Sequence, residues 1–151
     1  MGIVRLRIPG DEDWTAILAQ ADAALPWDAA GNREWLENRK QFSGRRRHYV
    51  AEESSSGNII GYGAIEEGPD PGSFRVFVVM DRANLATETG ALIYERLSAD
   101  LRTLDATGIW AREYAEDTDV LAFFIARGFV QRDRFTLPGL REMVVLVKRL
   151  A

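Results

Sequence analysis

Phe74-Arg75-Val76-Phe77-Val78-Val79-Met80 is apolar on both faces, the composition of a strand at the centre of a covered sheet. A polar, irregular run over residues 81–89 follows it. Then comes a helix whose Ile93, Leu97, Leu101 and Leu104 fall on one stripe, with Tyr94, Glu95, Arg96, Asp100 and Arg102 around the rest. Thr107-Gly108 breaks this helix, and Ile109-Trp110-Ala111-Arg112-Glu113 reads as the next strand. A helix between two strands of one sheet requires a parallel pair joined by a right-handed crossover. That unit decides the fold class.

Upstream, the period is two. His48-Tyr49-Val50-Ala51-Glu52 and Ile59-Ile60-Gly61-Tyr62-Gly63-Ala64-Ile65 are strands separated by the turn residues Ser54-Ser55-Ser56-Gly57-Asn58, and Gly68-Pro69-Asp70-Pro71-Gly72 turns the chain into the central strand. Short hairpins of this kind make the first half antiparallel. Before them, Ile3-Val4-Arg5-Leu6-Arg7-Ile8 alternates and stops at Pro9-Gly10. Asp11 then caps a helix carrying Trp14, Ile17, Leu18, Ala21 and Leu25. After the loop Pro26-Trp27-Asp28-Ala29-Ala30-Gly31, Asn32 caps a second, more polar helix through Phe42. Downstream, Asp117 or Thr118 caps a helix with Val120, Leu121, Phe123, Phe124 and Ile125, closed by Gly128. Two last strands, over residues 129–135 and 143–147, join across Pro138-Gly139. The expected architecture is a mixed α/β sheet of about seven strands in the order β-α-α-β-β-β-α-β-α-β-β, with helices on both faces.

The 151 residues form a single domain, 46% hydrophobic and 28% charged, in the range of an ordinary globular protein. There is no cysteine and only one histidine, His48, which excludes thiol catalysis, disulfide frameworks and zinc ribbons, and no metal is expected. A net charge of −4 and a pI near 5.1 argue against a nucleic-acid binder. No apolar run approaches the roughly 18–20 residues a membrane span needs, and residues 1–9 lack a signal-peptide core. A cytoplasmic chain without nucleic-acid or membrane partners is expected. Arg45-Arg46-Arg47 reads as a solvated basic loop, and Gly61 and Gly63 lie in a strand, so they are no dinucleotide fingerprint.

The element order resembles the GNAT N-acetyltransferase superfamily over essentially the whole chain. Three stretches carry the likeness: residues 76–80 as central strand, Gly90-Ala91-Leu92-Ile93-Tyr94-Glu95-Arg96-Leu97 as the helix after it, and Phe123-Phe124-Ile125-Ala126-Arg127-Gly128-Phe129 near the end. Members of that family read there as an apolar strand, then Q/R-x-x-G-x-G/A, then a tyrosine four residues before Gly-Phe. The resemblance implies acetyl-CoA as cosubstrate, bound by the backbone of Val78, Val79 and Met80 along its pantetheine arm. Its pyrophosphate would be held by the N–H groups of Leu85-Ala86-Thr87-Glu88-Thr89-Gly90, at a helix N-terminus with its half positive charge. It also implies an acceptor pocket lined by the region of Trp27, and a small-molecule or peptide amine as partner.

The departures from the pattern are informative. Only Gly90 keeps the family residue type in the hexapeptide, with Leu85 replacing a basic or amide residue and Glu88 a glycine. A carboxylate in a first helical turn stabilises its own helix by about 0.3–1 kcal/mol. Beside a pyrophosphate it is repelled by about 1 kcal/mol or more. Either Glu88 caps its own helix and the anion site is lost, or it points away and the backbone donors bind with reduced strength. Phe124 stands where many members place a tyrosine general acid, and it has no proton to give. Candidate bases lie at strand ends, Glu66, Glu67 and Glu113, with Tyr114 as a candidate acid; Glu113 and Tyr114 sit at the C-terminal edge where such sheets bind ligands. The reading is an N-acetyltransferase acting on a primary amine by direct attack in a ternary complex. The alternatives are a catalytically silent GNAT-fold binding or dimerisation module, or an acyl-CoA sensor. The acceptor and the oligomeric state, including a homodimer, stay open.

Overall fold

A computed structural model describes residues 3–136, 138 and 141–150. The chain lays down β1 (Val4–Arg7), a 3-10 turn at Asp11–Asp13, α1 (Trp14–Ala24) and α2 (Ala29–Gln41). There follow β2 (Arg46–Glu53), β3 (Ile59–Glu67), β4 (Ser73–Val79), a single turn α3 (Arg82–Leu85) and the long α4 (Glu88–Thr103). The last elements are β5 (Gly108–Tyr114), α5 (Thr118–Ile125), β6 (Val130–Thr136) and β7 (Glu142–Arg149). Among the described residues seven strands share one sheet in the order β1-β2-β3-β4-β5-β7-β6, and β4–β5 is the one parallel pair there. The mixed α/β architecture is the expected one, and among the described residues no helix is long and apolar enough to cross a membrane.

Period-two alternation in β4 sends its side chains to two separate cores. Val76 and Val78 pack with Ile93, Leu97 and Leu101 of α4 and with Phe124 and Phe129. Phe77 faces the opposite way, toward Ile17 of α1 and Leu36 of α2 together with Val50 and Tyr62. Gly63 lets α4 approach the sheet, since a Cβ there would fall 2.2 Å from Ile93 Cγ2. Phe124 is fully buried, its ring 4.9 Å from Phe129 and 5.5 Å from Phe123 between centroids.

Several boundaries differ from the sequence expectation, each for a local reason. Residues 81–89 are not irregular throughout. Asp81 Oδ1 accepts from Ala83 N at 3.1 Å and Asp81 O from the N–H groups of Asn84 and Leu85, which winds α3. Helix α2 begins at Ala29 rather than Asn32. Buried Asn32 instead donates to Asp22 Oδ1 (2.9 Å) and Leu25 O (3.0 Å), tying α2 back to α1. Arg46 and Arg47 start β2 instead of forming a loop, because Arg46 donates to Arg39 O at 2.6 Å and lies 3.4 Å from buried Glu66. Of the expected Pro138-Gly139 connection, Gly139 lies outside the described residues. His48 is half-buried, its Nδ1 3.0 Å from the Tyr62 hydroxyl, and burial pulls its pKa down to about 4, so it is a neutral packing residue.

Candidate functional site

The pairing of β4 with β5 covers only Ser73–Gly108, Phe74–Ile109 and Arg75–Trp110. Beyond Arg75 the strands part. β4 stays with β3 through Val78–Gly63 and Val79–Tyr62, while β5 follows β7 as far as Tyr114–Met143. The edge of β4 that faces β5 therefore has no strand partner over residues 76–79, and its polar groups are open to an extended ligand. Between the diverging strands lies a cleft of about 540 Å3, lined by Val78 and Val79 on one side, Arg112, Glu113 and Tyr114 on the other, and Asp28 and Trp35 from the α1–α2 region. A second hollow of about 530 Å3, at the closed end of β5 among Gly68, Thr107 and Lys148, contains none of these groups.

Glu113 is the titratable group best suited to chemistry at neutral pH. Burial pushes its carboxyl up to about 7, against the pull of Arg82, Arg75 and Arg112. Tyr114 is half-buried, and its hydroxyl donates to Asp28 Oδ2 at 2.7 Å. Burial and that carboxylate push its pKa up to about 12, so the phenol keeps its proton. Trp27 does not line the cleft. Its ring meets Tyr114 edge-on at 4.8 Å, and the Arg141 guanidinium lies 4.1 Å from its centroid, which places Trp27 at the rim behind the tyrosine.

Glu67 is not brought to the cleft. Because β3 runs antiparallel to β4, the end of β3 pairs with the start of β4, Glu67 opposite Phe74. There its carboxylate takes Arg45 at 3.0 and 2.9 Å and Gly72 N at 2.8 Å, which hold its pKa down at about 2. Glu66 is buried in contact with Arg39 (2.9 Å) and Arg46 (3.4 Å). Neither offers a free base near Val78.

The N-terminus of α4 is only partly available. The N–H groups of Leu85, Ala86 and Thr87 go to Asp81 O and Asn84 O, and Thr89 N reaches Thr87 Oγ1 at 3.4 Å. This leaves Glu88 N and Gly90 N without a partner among the described residues. Glu88 is exposed, and its carboxylate accepts no hydrogen bond there, so Thr87 and not Glu88 supplies the cap. Gly90 is required by packing: a Cβ would lie 2.4 Å from Leu85 O and 3.0 Å from a Phe123 ring carbon. Gly90→Ala is expected to destabilise the fold by about 1–3 kcal/mol. An unchanged thermal midpoint would remove that explanation of the glycine.

Reading the sequence alone missed Arg75, Arg112 and the ion pair of Arg82 with Asp117, which joins the start of α3 to the start of α5. A signal for Arg75 was present, a single charge inside an otherwise apolar seven-residue run.

No family profile matches the sequence, and no curated protein does. Solved structures match along its whole length. A GCN5-related N-acetyltransferase from Kribbella flavida superposes with a TM-score of 0.74 at 14% identity, over 97% of this chain and 98% of that one. Ribosomal-protein-alanine N-acetyltransferase from Brucella melitensis gives 0.71 at 19% identity over 97% and 99%. PaiA N-acetyltransferase from Thermoplasma acidophilum, in complex with coenzyme A, gives 0.73 at 11% over 98% and 99%. The chain has the GNAT fold. Leu85, Glu88 and Phe124 stand where the resemblance implied a basic or amide residue, a glycine and a tyrosine.

Proposed function

We propose that the protein is an acyl-CoA-dependent N-acyltransferase, using acetyl-CoA and a primary amine. The parting of β4 and β5 beside Glu113 carries this reading, because it joins an unpaired strand edge to a carboxylate whose pKa is near neutrality. The open edge at Val78 and Val79, continued by Met80, fits the amides of a pantetheine arm. Glu88 N and Gly90 N fit its phosphates at the start of a helix. Acetyl-CoA supplies an activated carbonyl carbon and a thiolate leaving group with a pKa of about 8.5.

Glu113 takes the first proton from the acceptor ammonium, freeing the nitrogen lone pair. Holding the amine beside the carbonyl in a ternary complex then turns the attack into a unimolecular step. The new C–N bond forms, the C–S bond breaks with its electron pair on sulfur, and the second nitrogen proton is left for the thiolate through water. Phe124 has no proton to offer, and Tyr114 keeps its own on Asp28. Tyr114 is a positioning residue: it anchors the loop that carries Asp28 and Trp27 at the rim of the cleft.

Titration calorimetry with acetyl-CoA, followed by free-thiol release against an amine panel, tests the reading. Binding with turnover is expected. Loss of three family motif residues at Leu85, Glu88 and Phe124 favours a second reading, a module that binds without transfer or does not bind at all, and the same two measurements separate them. Glu88→Gly is expected to tighten acetyl-CoA binding about fivefold, the equivalent of about 1 kcal/mol of relieved repulsion. Equal or weaker binding removes the repulsion argument.

A further inference from the structure

Arg75 lies opposite Glu66 in the β3–β4 register, and Glu66 and Glu113 attract it from beyond ion-pair distance. It has no carboxylate within ion-pair distance among the described residues, and its Nε is buried with no hydrogen-bond acceptor. Its guanidinium is held by aromatic rings, with Cζ 4.5 Å from the Phe77 centroid and 5.1 Å from that of Trp110. Burial lowers its pKa only to about 10, so it stays charged at neutral pH. Removing a charged group from water without a partner is unfavourable by several kcal/mol in general, and buried charges are normally paired.

The other arginines of the cleft divide into two kinds. Arg39 Nε lies 2.9 Å from Glu66, and Arg82 is bonded to Asp117. Arg112 is exposed at the cleft on the same face of β5 as Trp110, the register partner of Arg75, and it has no ion-pair partner among the described residues. The cleft therefore presents two unpaired guanidinium groups on one face of the sheet beside Asp28, with Glu113 lining it from the opposite face of β5 between the parted strands. A ligand that satisfies both signs is itself a zwitterion.

We propose that the acceptor is an amino carboxylate, bound with its carboxylate on the guanidinium groups of Arg75 and Arg112 and its ammonium toward Glu113. This rests on the acyl-transfer reading above and names the class of amine it uses. An arginine fork matches a carboxylate in two parallel hydrogen bonds, which fixes direction as well as affinity. A polyamine, in contrast, sets more positive charge beside two unpaired cations, where like charges repel.

The test compares free L-amino acids, the corresponding amino acid amides and spermidine as acceptors. Acetyl-CoA binding is measured by calorimetry and turnover by thiol release. The amides keep the amine and lack the carboxylate. Free amino acids are expected to give kcat/KM about tenfold or more above their amides. Arg112→Gln, at an exposed strand position, is expected to bring that ratio close to one, and Arg75→Gln to do the same where circular dichroism shows it folded. Acetyl-CoA binding with amides or spermidine used as well as the acids, or with no free amino acid used, overturns the inference and leaves acyl transfer standing or falling on its own panel. Failure of acetyl-CoA to bind overturns both.

Discussion

Replacing Glu113 by glutamine is expected to lower kcat/KM for acyl transfer about 10²–10⁴-fold, the usual worth of a positioned general base. The wild-type rate should rise with pH through about 7, because the carboxyl is held there by burial and only its ionised form accepts the ammonium proton. The glutamine variant should lose that limb. A second readout separates this role from a structural one. A carboxyl whose pKa is raised on folding adds stability below its unfolded value, and this is lost as pH rises through about 7. Glu113→Gln should therefore gain on wild type in thermal midpoint between acidic pH and pH 8. A variant that keeps wild-type kcat/KM and the same pH limb removes Glu113 from the reaction.

Phe124→Ala is expected to cost about 3–5 kcal/mol of stability, with a fall in Tm on the order of 10 °C. Its side chain is fully buried, and its ring is enclosed by Phe123 and Phe129 in the core beneath α4. Truncation leaves a cavity that three packed elements cannot all collapse into. Denaturant unfolding checks it; a loss under about 1 kcal/mol would mean that the site relaxes or that the ring is not enclosed.

Much of the fold was legible because it rests on local rules. The period-two run at Phe74, Val76 and Val78 and the stripe of Ile93, Leu97 and Leu101 each record one buried face, and that record is written within a few residues. The β-α-β unit followed from them, as did burial of Phe124. Asn32 shows where such reasoning stops. Its residue type is that of a helix cap, yet its partners are Asp22 and Leu25 on the preceding helix and loop, so it lies inside α2. Glu67 shows the same for the site. A strand-end carboxylate looks available in sequence, but strand direction carries it to the closed end, onto Arg45 and Gly72 N.

By itself the sequence determined a mixed α/β sheet, its element order and a glycine in the first turn of the long helix. Only the tertiary structure decided that β4 and β5 part after Arg75 and Trp110, that Glu113 is buried enough to titrate near 7, and that Arg75 and Arg112 have no ion-pair partner among the described residues. The reason is physical. Periodicity is set by neighbours a few residues away, whereas desolvation and charge pairing depend on which distant segments meet, and a charged side chain reads the same in sequence whether or not its counter-ion arrives.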